Sequence, residues 1–433
     1  MDLDELVFHP WVAQGPRRVP TIVAGEGSHV VAADGRRYLD FSSQLVFTNL
    51  GHQHPAVVAA IKAQADRLCT LAPAHANDVR GEAARLIVEV APEGLGHVLF
   101  TTGGTEGIEH AVRMARLVTG RPKVLAAYRS YHGSTTTSIH LTGDPRRWAS
   151  DTGTAGVVHF FGPFPYRSVF GATTPEEEGE RALAHLEQVV LQEGPATIAA
   201  LVLESVTGSS GVVVPPPGYL RGVRELCTRH GIVHIADEVL TGFGRTGAWF
   251  ACDHEDVAPD LLVFAKGVNS GCVPLGGVLV GDPVYRAFTE RPYPAGLTYS
   301  GHPLACAAAV GAIEAMHEEG TVAAAARLGT DVLGPGLERL AGQHRCVGDL
   351  RGIGALWTLE LVTDRDTGEP LPTGGPEMTA FTRTCLERGM LTLVLANRVH
   401  VAPPLNVTDT DAATGLEALD AALSVVDEGL RAG

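Results

Sequence analysis

Two short apolar runs of this chain each end in one ionisable residue: Ile232 to Asp237, and Leu261 to Lys266. Their length and their β-branched or aromatic content are typical of interior strands. A carboxylate or an amine is costly to bury there alone, so it forms an ion pair or takes part in chemistry. A lysine at a strand end can form a Schiff base, and an aspartate can keep a heterocyclic nitrogen protonated. On these two residues alone, a plain buried Asp–Lys pair stays open as the alternative.

A glycine–threonine turn follows another candidate strand, His97–Phe100, which lies earlier in the chain. Its sequence is Thr101-Thr-Gly-Gly-Thr-Glu106, and apolar residues at helical spacing come after it. Such a turn presents free backbone N–H groups and a hydroxyl to a phosphate. The Gly-Lys-Thr/Ser signature of a P-loop is absent. An ordinary capped helix with Thr105 near its N-cap is the alternative reading.

Two residues could enclose a flat ring near these groups. Tyr131 follows the strand Lys123–Ala127, and an aromatic there could stack on one face of a cofactor, although a single aromatic can also be core. Val239 lies two residues after Asp237 and could close the opposite face. Together, lysine, aspartate, phosphate turn and ring faces favour pyridoxal 5'-phosphate as the cofactor.

Two other motifs are rejected. Gly242-Phe-Gly-Arg-Thr-Gly247 matches the dinucleotide fingerprint, but the following Ala248–His254 does not form the amphipathic helix that this fingerprint requires. His52 and His54 have metal-ligand spacing without a third ligand cluster, and Pro55 favours a turn instead. We therefore expect no nucleotide fingerprint and no metal site in these segments.

Strands and helices alternate from about residue 95 to residue 280. This cadence predicts a mostly parallel, doubly wound α/β sheet with ligands at the carboxyl ends of its strands. The last strand follows Lys266 too closely for a helical crossover and should be antiparallel. The candidate strands are His97–Phe100, Lys123–Ala127, Val157–Phe160, Ala199–Glu204, Ile232–Asp237, Leu261–Ala265 and Leu275–Val280, with helices such as Glu177–Gln192 and Tyr219–His230 between them.

Three regions are expected along the chain. Residues 1–60 form an arm and a small sheet, with a hairpin around Asp34-Gly35, and pack with the C-terminal domain. Residues 61–325 form the large domain, which ends in a helix from about Pro303. Residues 326–433 form a small α+β domain with a final helix from about Asp411.

Composition excludes several classes of protein. The 433 residues include 33 Lys+Arg and 49 Asp+Glu, a net charge of −16, without a basic block. Nucleic-acid and anionic-membrane partners are therefore not expected. The seven cysteines are scattered and never spaced Cys-x-x-Cys, and the first residues lack the pattern of a secretory signal. These features predict a cytoplasmic protein.

Several segments together resemble the class III (ω-amino acid) aminotransferases of the fold-type I pyridoxal phosphate enzymes, nearly end to end. The segments lie in the family's order and are far more specific together than singly. They are Gly51-His-x-His-Pro55, Gly103-Gly-Thr-Glu106, Tyr131-His-Gly133, Glu204-Ser-Val-x-Gly208, Asp237-Glu-Val-x-x-Gly-x-Gly-Arg-Thr-Gly247, Ala265-Lys-Gly267 and Thr298-Tyr-Ser-Gly-His-Pro303. Within the family, His9-Pro-Trp11, Ser42-Ser-Gln-Leu45, Arg129-Ser-Tyr-His132 and Asn269-Ser-x-x-Val-Pro-Leu-Gly-Gly277 resemble the pyruvate-using branch that includes taurine–pyruvate aminotransferases.

The resemblance implies a role for each matching position. Lys266 would be the Schiff-base lysine and the acid/base that moves the proton between the substrate Cα and the cofactor C4′, and Asp237 would hold the pyridine nitrogen. The implied cofactor contacts are Gly104 and Thr105 (phosphate), Tyr131 and Val239 (ring faces), His132, Glu204 near the substrate side, and Thr298 reaching the neighbouring subunit's phosphate. A homodimer with shared active sites follows from that last role.

The resemblance also implies a substrate pocket. Val46 stands where amine:pyruvate members often carry tryptophan, and Cys272 stands where the taurine-like branch tends to have tyrosine. Arg398 is the implied anchor for an acid group, because Leu393 stands near the family's usual arginine. The expected reaction moves an amino group from a primary amine or ω-amino acid to pyruvate or another 2-oxo acid by a ping-pong cycle. Dialkylglycine-type decarboxylation or an aminomutase reaction on the same fold is the alternative, and a nucleotide-binding regulator is the rival from another class.

Overall fold

The computed structural model describes residues 6–15, 19–150, 152–153 and 156–432. Parts of the predicted N-terminal arm, including the first residues judged for a secretory signal, lie outside these ranges. None of the described helices combines the length and the hydropathy needed to cross a membrane.

The strands occupy most of the positions expected for them. Those of the central region begin and end within two residues of the predicted bounds. In chain order the strands are β1 (Ile22–Glu26), β2 (His29–Ala32), β3 (Arg37–Asp40), β4 (Leu95–Thr101), β5 (Lys123–Ala127), β6 (Val157–Phe160), β7 (Ile198–Glu204), β8 (Val233–Asp237), β9 (Leu261–Phe264), β10 (Gly276–Gly281), β11 (Val347–Ile353), β12 (Leu356–Asp364), β13 (Glu369–Pro370), β14 (Met390–Leu391), β15 (Leu393–Leu395) and β16 (Arg398–Val401).

The helices lie in the connections between these strands, and the last helix follows the last strand. In chain order they are α1 (Ser43–Val46), α2 (Pro55–Arg67), α3 (Asp78–Glu89), α4 (Gly104–Thr119), α5 (Thr136–Leu141), α6 (Pro175–Glu193), α7 (Tyr219–His230), α8 (Asp282–Arg286), α9 (Pro303–Glu318), α10 (Thr321–Arg327), α11 (Gly334–Gln343), α12 (Pro376–Glu387) and α13 (Asp409–Ala432).

A seven-stranded sheet forms the centre of the molecule, in the order β4-β10-β9-β8-β7-β5-β6. Strands β5 to β9 pair in parallel, whereas β10 is antiparallel to both of its neighbours. The predicted antiparallel final strand is therefore confirmed. The sheet places the carboxyl ends of β7, β8 and β9 side by side.

The central sheet is doubly wound because its strands are apolar on both faces. Along β7, Leu201 and Leu203 pack into one core cluster, while Ala200 and Val202 pack into another on the opposite face. Helix α4 covers the second face through Ile108 and its neighbours. Successive side chains of a strand point to opposite faces, so the non-alternating apolar runs of the sequence fit a strand covered on both sides.

Two smaller sheets complete the fold. Strands β1, β2 and β3 pair with β14 from the C-terminal region, through Leu39 opposite Met390. A second sheet has the order β11-β12-β16-β15, with β13 paired to β12. It packs with α11, α12 and α13 around a separate apolar core. The predicted boundaries at residues 60 and 325 stay a prediction.

Candidate active site

Three carboxyl or amine groups meet where β7, β8 and β9 end. Glu204 is the last residue of β7 and lies opposite Asp237, the last residue of β8. Asp237 in turn lies opposite Val263 of β9, and Lys266 comes two residues after that strand ends. Parallel strands end at the same edge of a sheet, so the predicted Asp237 and Lys266 are brought together with Glu204.

Lys266 occupies an unfavourable backbone conformation. Its φ is +45°, in the left-handed region, where it begins a short 3₁₀ turn through Asn269. The following Gly267 lies against the amide side chain of Asn49, so no larger residue fits after the lysine. Non-glycine residues in this conformation cluster at functional sites, where the surrounding structure compensates the strain.

The pKa of the Lys266 amine lies close to neutral pH. Burial lowers the pKa of this amine to about 8, although the charges of Asp237 and Glu204 act to raise it. The residue as a whole is half-buried. A substantial fraction of the amine is therefore uncharged near pH 8, which is the form that attacks a carbonyl carbon.

Asp237 is held by a buried histidine. Its Oδ2 lies 2.7 Å from Nδ1 of His132, and its Oδ1 accepts a hydrogen bond of 3.1 Å from the backbone N–H of Val239. Burial acts to lower the pKa of His132, but the hydrogen bond to Asp237 and nearby carboxylate charges outweigh it and raise the pKa. Nε2 of His132 is buried and has no hydrogen-bond partner among the described residues.

Glu204 is buried and holds two backbone groups. Its Oε1 accepts a hydrogen bond from the N–H of Tyr131, and its Oε2 accepts one from the N–H of Gly208, each at 2.8 Å. Burial raises the pKa of Glu204 to about 7, with His132 lowering it and Asp237 raising it. Near neutral pH this carboxyl group can therefore hold or release a proton beside Asp237.

The glycine–threonine turn opens helix α4 as expected. Gly103 is the N-cap and Gly104 the first helical residue, so backbone N–H groups of the first turn are free for an anion. A side chain at Gly104 would approach the Val239 side chain to 2.6 Å, so the turn and the predicted ring face are in close contact. The Thr105 hydroxyl oxygen accepts a hydrogen bond of 3.2 Å from the N–H of Ser134.

Tyr131 lies beneath a cation that the sequence did not single out. The guanidinium of Arg146 is 3.7 Å from the centre of the Tyr131 ring. The rings of Trp11 and Tyr131 are arranged edge to face, with their centres 6.1 Å apart. Arg146 is oriented by Asp144, whose carboxylate accepts from Nε at 2.8 Å, and by Ser209, whose hydroxyl accepts from Nη2 at 2.6 Å. Asp144-Pro145 is a local signal for a turn, but nothing in the spacing links residue 146 to residues 131 and 209, so sequence reasoning missed Arg146.

The other predicted pocket residues lie at different depths. Val46 is buried in an apolar cluster with Val206 and Val212, and Cys272 is exposed. Arg398 begins β16, and its Nη1 donates a hydrogen bond of 2.8 Å to the carbonyl of Ser210. Thr298 is exposed in the loop before α9. The assignment of these four residues to cofactor or substrate stays a prediction.

The rejected motifs have structural roles. Gly242–Gly247 forms consecutive turns rather than a helix, and its Arg245 is fully buried. His52 pairs with Asp40 at 2.9 Å, and His54 pairs with Glu319 at 2.8 Å. Within the ranges described above, no group of three or more potential ligands is placed to hold a metal ion.

The residues present fit pyridoxal phosphate. The unpartnered Nε2 of His132 marks a buried polar position beside Asp237, and the start of α4 offers N–H groups to a phosphate. The Lys266 amine lies close enough for the charge of Asp237 to affect its pKa. Such a set contains an amine that can form a Schiff base with the cofactor aldehyde and a carboxylate that can pair with the ring nitrogen.

Comparison with known proteins agrees with this geometry. The family "Aminotransferase class-III" matches residues 13–423. The chain is 34% identical to a putrescine–pyruvate aminotransferase of Pseudomonas aeruginosa, over 89% of this chain and 86% of that protein. It is also 34% identical to an adenosylmethionine-8-amino-7-oxononanoate aminotransferase of Nitratidesulfovibrio vulgaris, over 98% of this chain and 81% of that protein.

Solved structures give the same result. The taurine:2-oxoglutarate aminotransferase of Bifidobacterium kashiwanohense, in complex with PLP and glutamate, has a TM-score of 0.94 and 40% identity, covering 99% of this chain and 97% of that chain. The omega transaminase of Pseudomonas jessenii in complex with PMP has a TM-score of 0.94 and 30% identity, covering 99% of this chain and 98% of that chain. The predicted fold type and the cofactor, pyridoxal 5'-phosphate, are thereby confirmed. This chain belongs to the class III aminotransferase family.

Proposed function

We propose that the protein transfers an amino group from a primary amine or ω-amino acid to pyruvate or another 2-oxo acid, in two half-reactions that alternate at one site. The observation that carries the proposal is the convergence of Lys266, the Asp237–His132 pair and Glu204 at three adjacent strand ends. Relatives that use pyruvate or 2-oxoglutarate, by their names, support a 2-oxo acid as acceptor.

The protein residues divide the work around the cofactor. Bound pyridoxal phosphate supplies an aldehyde that captures the amino group and a ring that takes up the electron pair left on the substrate carbon. Lys266, with its lowered pKa, would remove the proton from that carbon and deliver it to the cofactor carbon that carried the aldehyde. Asp237, fixed by His132, keeps the ring nitrogen protonated and so favours the developing negative charge.

Arg146 is the group best placed to select an acidic substrate. It lies over Tyr131, and its nearness to Lys266 helps lower the pKa of that amine. Nε and Nη2 are used by Asp144 and Ser209, whereas no hydrogen bond found within the described ranges uses the two N–H donors of Nη1. A guanidinium held in this way suits a carboxylate or sulfonate. Arg398 would support the same end of the site from β16, in the sheet of β11, β12, β16 and β15, which is called the small sheet below.

The proposal includes a homodimer in a reducing cytoplasm. Thr298 and Tyr299 are exposed before α9, as are the apolar side chains of Leu45 and Leu68. Large apolar side chains in contact with water support burial against another protein surface. The cysteines of the described residues are free, which fits a reducing compartment.

The test follows the amino group. Purified enzyme is supplied with a primary amine or an ω-amino acid, first without and then with pyruvate or 2-oxoglutarate. We expect one equivalent of amine consumed per site without acceptor and continuous turnover with it. Continuous turnover without acceptor, or release of carbon dioxide, would contradict a transaminase.

The proposed role of Arg146 in binding the acid group of the substrate, called the acid anchor below, has its own test. Replacing Arg146 by alanine should raise KM for an ω-amino acid about tenfold or more, since a charge-assisted pair contributes about 1.5–3 kcal/mol. KM for an amine without an acid group should change little. An equal change for both donors would remove Arg146 from this role.

A further inference from the structure

The chain between β7 and α7 connects the active site with the small sheet. This connecting segment, Gly208–Gly211, lies next to an isolated bridge between Thr207 and Val213. Toward the active site, the N–H of Gly208 donates to Glu204 at 2.8 Å, and the Ser209 hydroxyl accepts from Arg146 at 2.6 Å. Glu204 and Arg146 are therefore held by consecutive residues of one segment.

The opposite side of the connecting segment is held by side chains of the small sheet. Nε of Arg351 donates to the carbonyl of Gly211 at 2.8 Å, and Nη1 of Arg398 donates to the carbonyl of Ser210 at 2.8 Å. Nε2 of His400 approaches the carbonyl of Gly208 at 3.3 Å. Burial lowers the pKa of His400 to about 4, so the imidazole is neutral near pH 7.

Gly211 allows both arginines to approach. Its φ is +112°, and a Cβ added there would lie 2.6 Å from Nη2 of Arg351 and 2.8 Å from Cδ of Arg398. Arg351 is itself anchored by Glu360, whose carboxylate accepts from Nη2 at 2.8 Å. The carbonyls of the connecting segment are thus clamped by two arginines whose own positions are fixed in the small sheet.

We infer that Ser209 and Arg351 are positioning residues that set the selectivity of the site for acid-bearing substrates. Arg351 holds the connecting segment through the carbonyl of Gly211. Ser209 of that segment in turn holds Arg146 over Tyr131 through its hydroxyl group. The inference rests on the proposed function, because it assumes that Arg146 receives the acid group of the substrate.

The first test removes the Ser209 hydroxyl. In the Ser209→Ala holoenzyme we expect KM for 3-aminopropanoate to rise about tenfold and KM for propylamine to change less than twofold. Ser209→Thr restores a hydroxyl and should recover most of the loss. Ser168→Ala, which removes a hydroxyl bonded to Glu178 elsewhere, is the matched control and should leave the KM ratio unchanged.

The second test removes Arg351, which lies behind the connecting segment. Arg351→Met should raise KM for 3-aminopropanoate by about threefold or more without a matching rise in KM for propylamine. It should also raise the dissociation constant of propanoate, which is measured without turnover through the visible absorbance band of the holoenzyme. A merely structural role would lower Tm and kcat for both donors and leave their KM ratio unchanged. That outcome would overturn the part assigned to Arg351.

Failure of the inference and failure of the anchor are distinguishable. If Arg146→Ala changes the KM ratio but Ser209→Ala leaves it within twofold, the positioning role is wrong and the anchor stands. If Arg146→Ala leaves the ratio unchanged as well, the acid anchor itself is wrong.

Discussion

Lys266 combines backbone strain with a desolvated amine. Its φ of +45° and its lowered pKa are both unfavourable for folding. Strain of this kind is kept where the surrounding structure holds a functional group in place. Lys266 should therefore reduce the stability of the cofactor-free protein.

This cost predicts a pH-dependent effect of Lys266→Met on the cofactor-free protein. The pKa is about 8 in the folded state and 10.5 for a lysine fully exposed to water, so below pH 8 the folded state carries the full penalty of a buried charge. The variant should be more stable near pH 7, by up to about 3 kcal/mol. The difference should shrink as the pH rises from 8 to 10.5, where the folded state releases its proton first.

Urea unfolding of both proteins across this pH range measures the effect. Lys62→Met changes an exposed lysine of α2 and is the control. Equal stability of wild type and Lys266→Met at every pH would show that the amine is not desolvated.

At the scale of elements, the strand ends were the most predictable part of the site. The apolar runs before Asp237 and Lys266 identified β8 and β9 because both faces of these strands are buried. Gly103-Gly104 likewise identified the start of α4. Arg146 could not be found in this way, since it reaches Tyr131 only through the folding of a short turn and of the distant segment that carries Ser209. The pairing of β3 with β14 also joins residues too far apart for any local pattern.

The contact between α4 and Val239 gives a prediction at this scale. Gly104→Ala should weaken pyridoxal phosphate binding about tenfold, because its Cβ would meet Val239 at 2.6 Å and overpacking costs about 1–3 kcal/mol. In a Val239→Ala background, the same substitution should cost much less. Titration of the cofactor-free proteins with pyridoxal phosphate measures the four affinities of this cycle.

Gly81→Ala is the control for this substitution. Gly81 lies within α3, and an added Cβ would meet nothing within 4 Å, so we expect unchanged cofactor affinity and slightly higher stability. Equal losses from Gly104→Ala in both backgrounds would contradict the proposed contact.

The whole molecule carries an acidic net charge of −16, and the candidate active site lies where the parallel strands of the central sheet end. In the proposed dimer, Thr298 serves the site of the other subunit. A mixed dimer of a Lys266→Ala subunit and a Thr298→Val subunit therefore holds one doubly altered site and one unaltered site. In the isolated mixed dimer we expect cofactor titration to find wild-type affinity at the unaltered site alone.

The two homodimers are the controls, since neither contains an unaltered site. If Thr298 acts within its own subunit, mixing restores nothing. That result, or a monomer by sedimentation at micromolar concentration, would contradict shared active sites.

The central claim is that the Lys266 amine joins covalently to pyridoxal phosphate. The chain has only three lysines, Lys62, Lys123 and Lys266, so borohydride reduction of the holoenzyme followed by peptide mass spectrometry gives an unambiguous answer. We predict one phosphopyridoxyl group per chain, on the peptide that contains Lys266. Reduction that labels Lys62 or Lys123 instead, or an active enzyme in which Lys266 stays unmodified, would contradict the account.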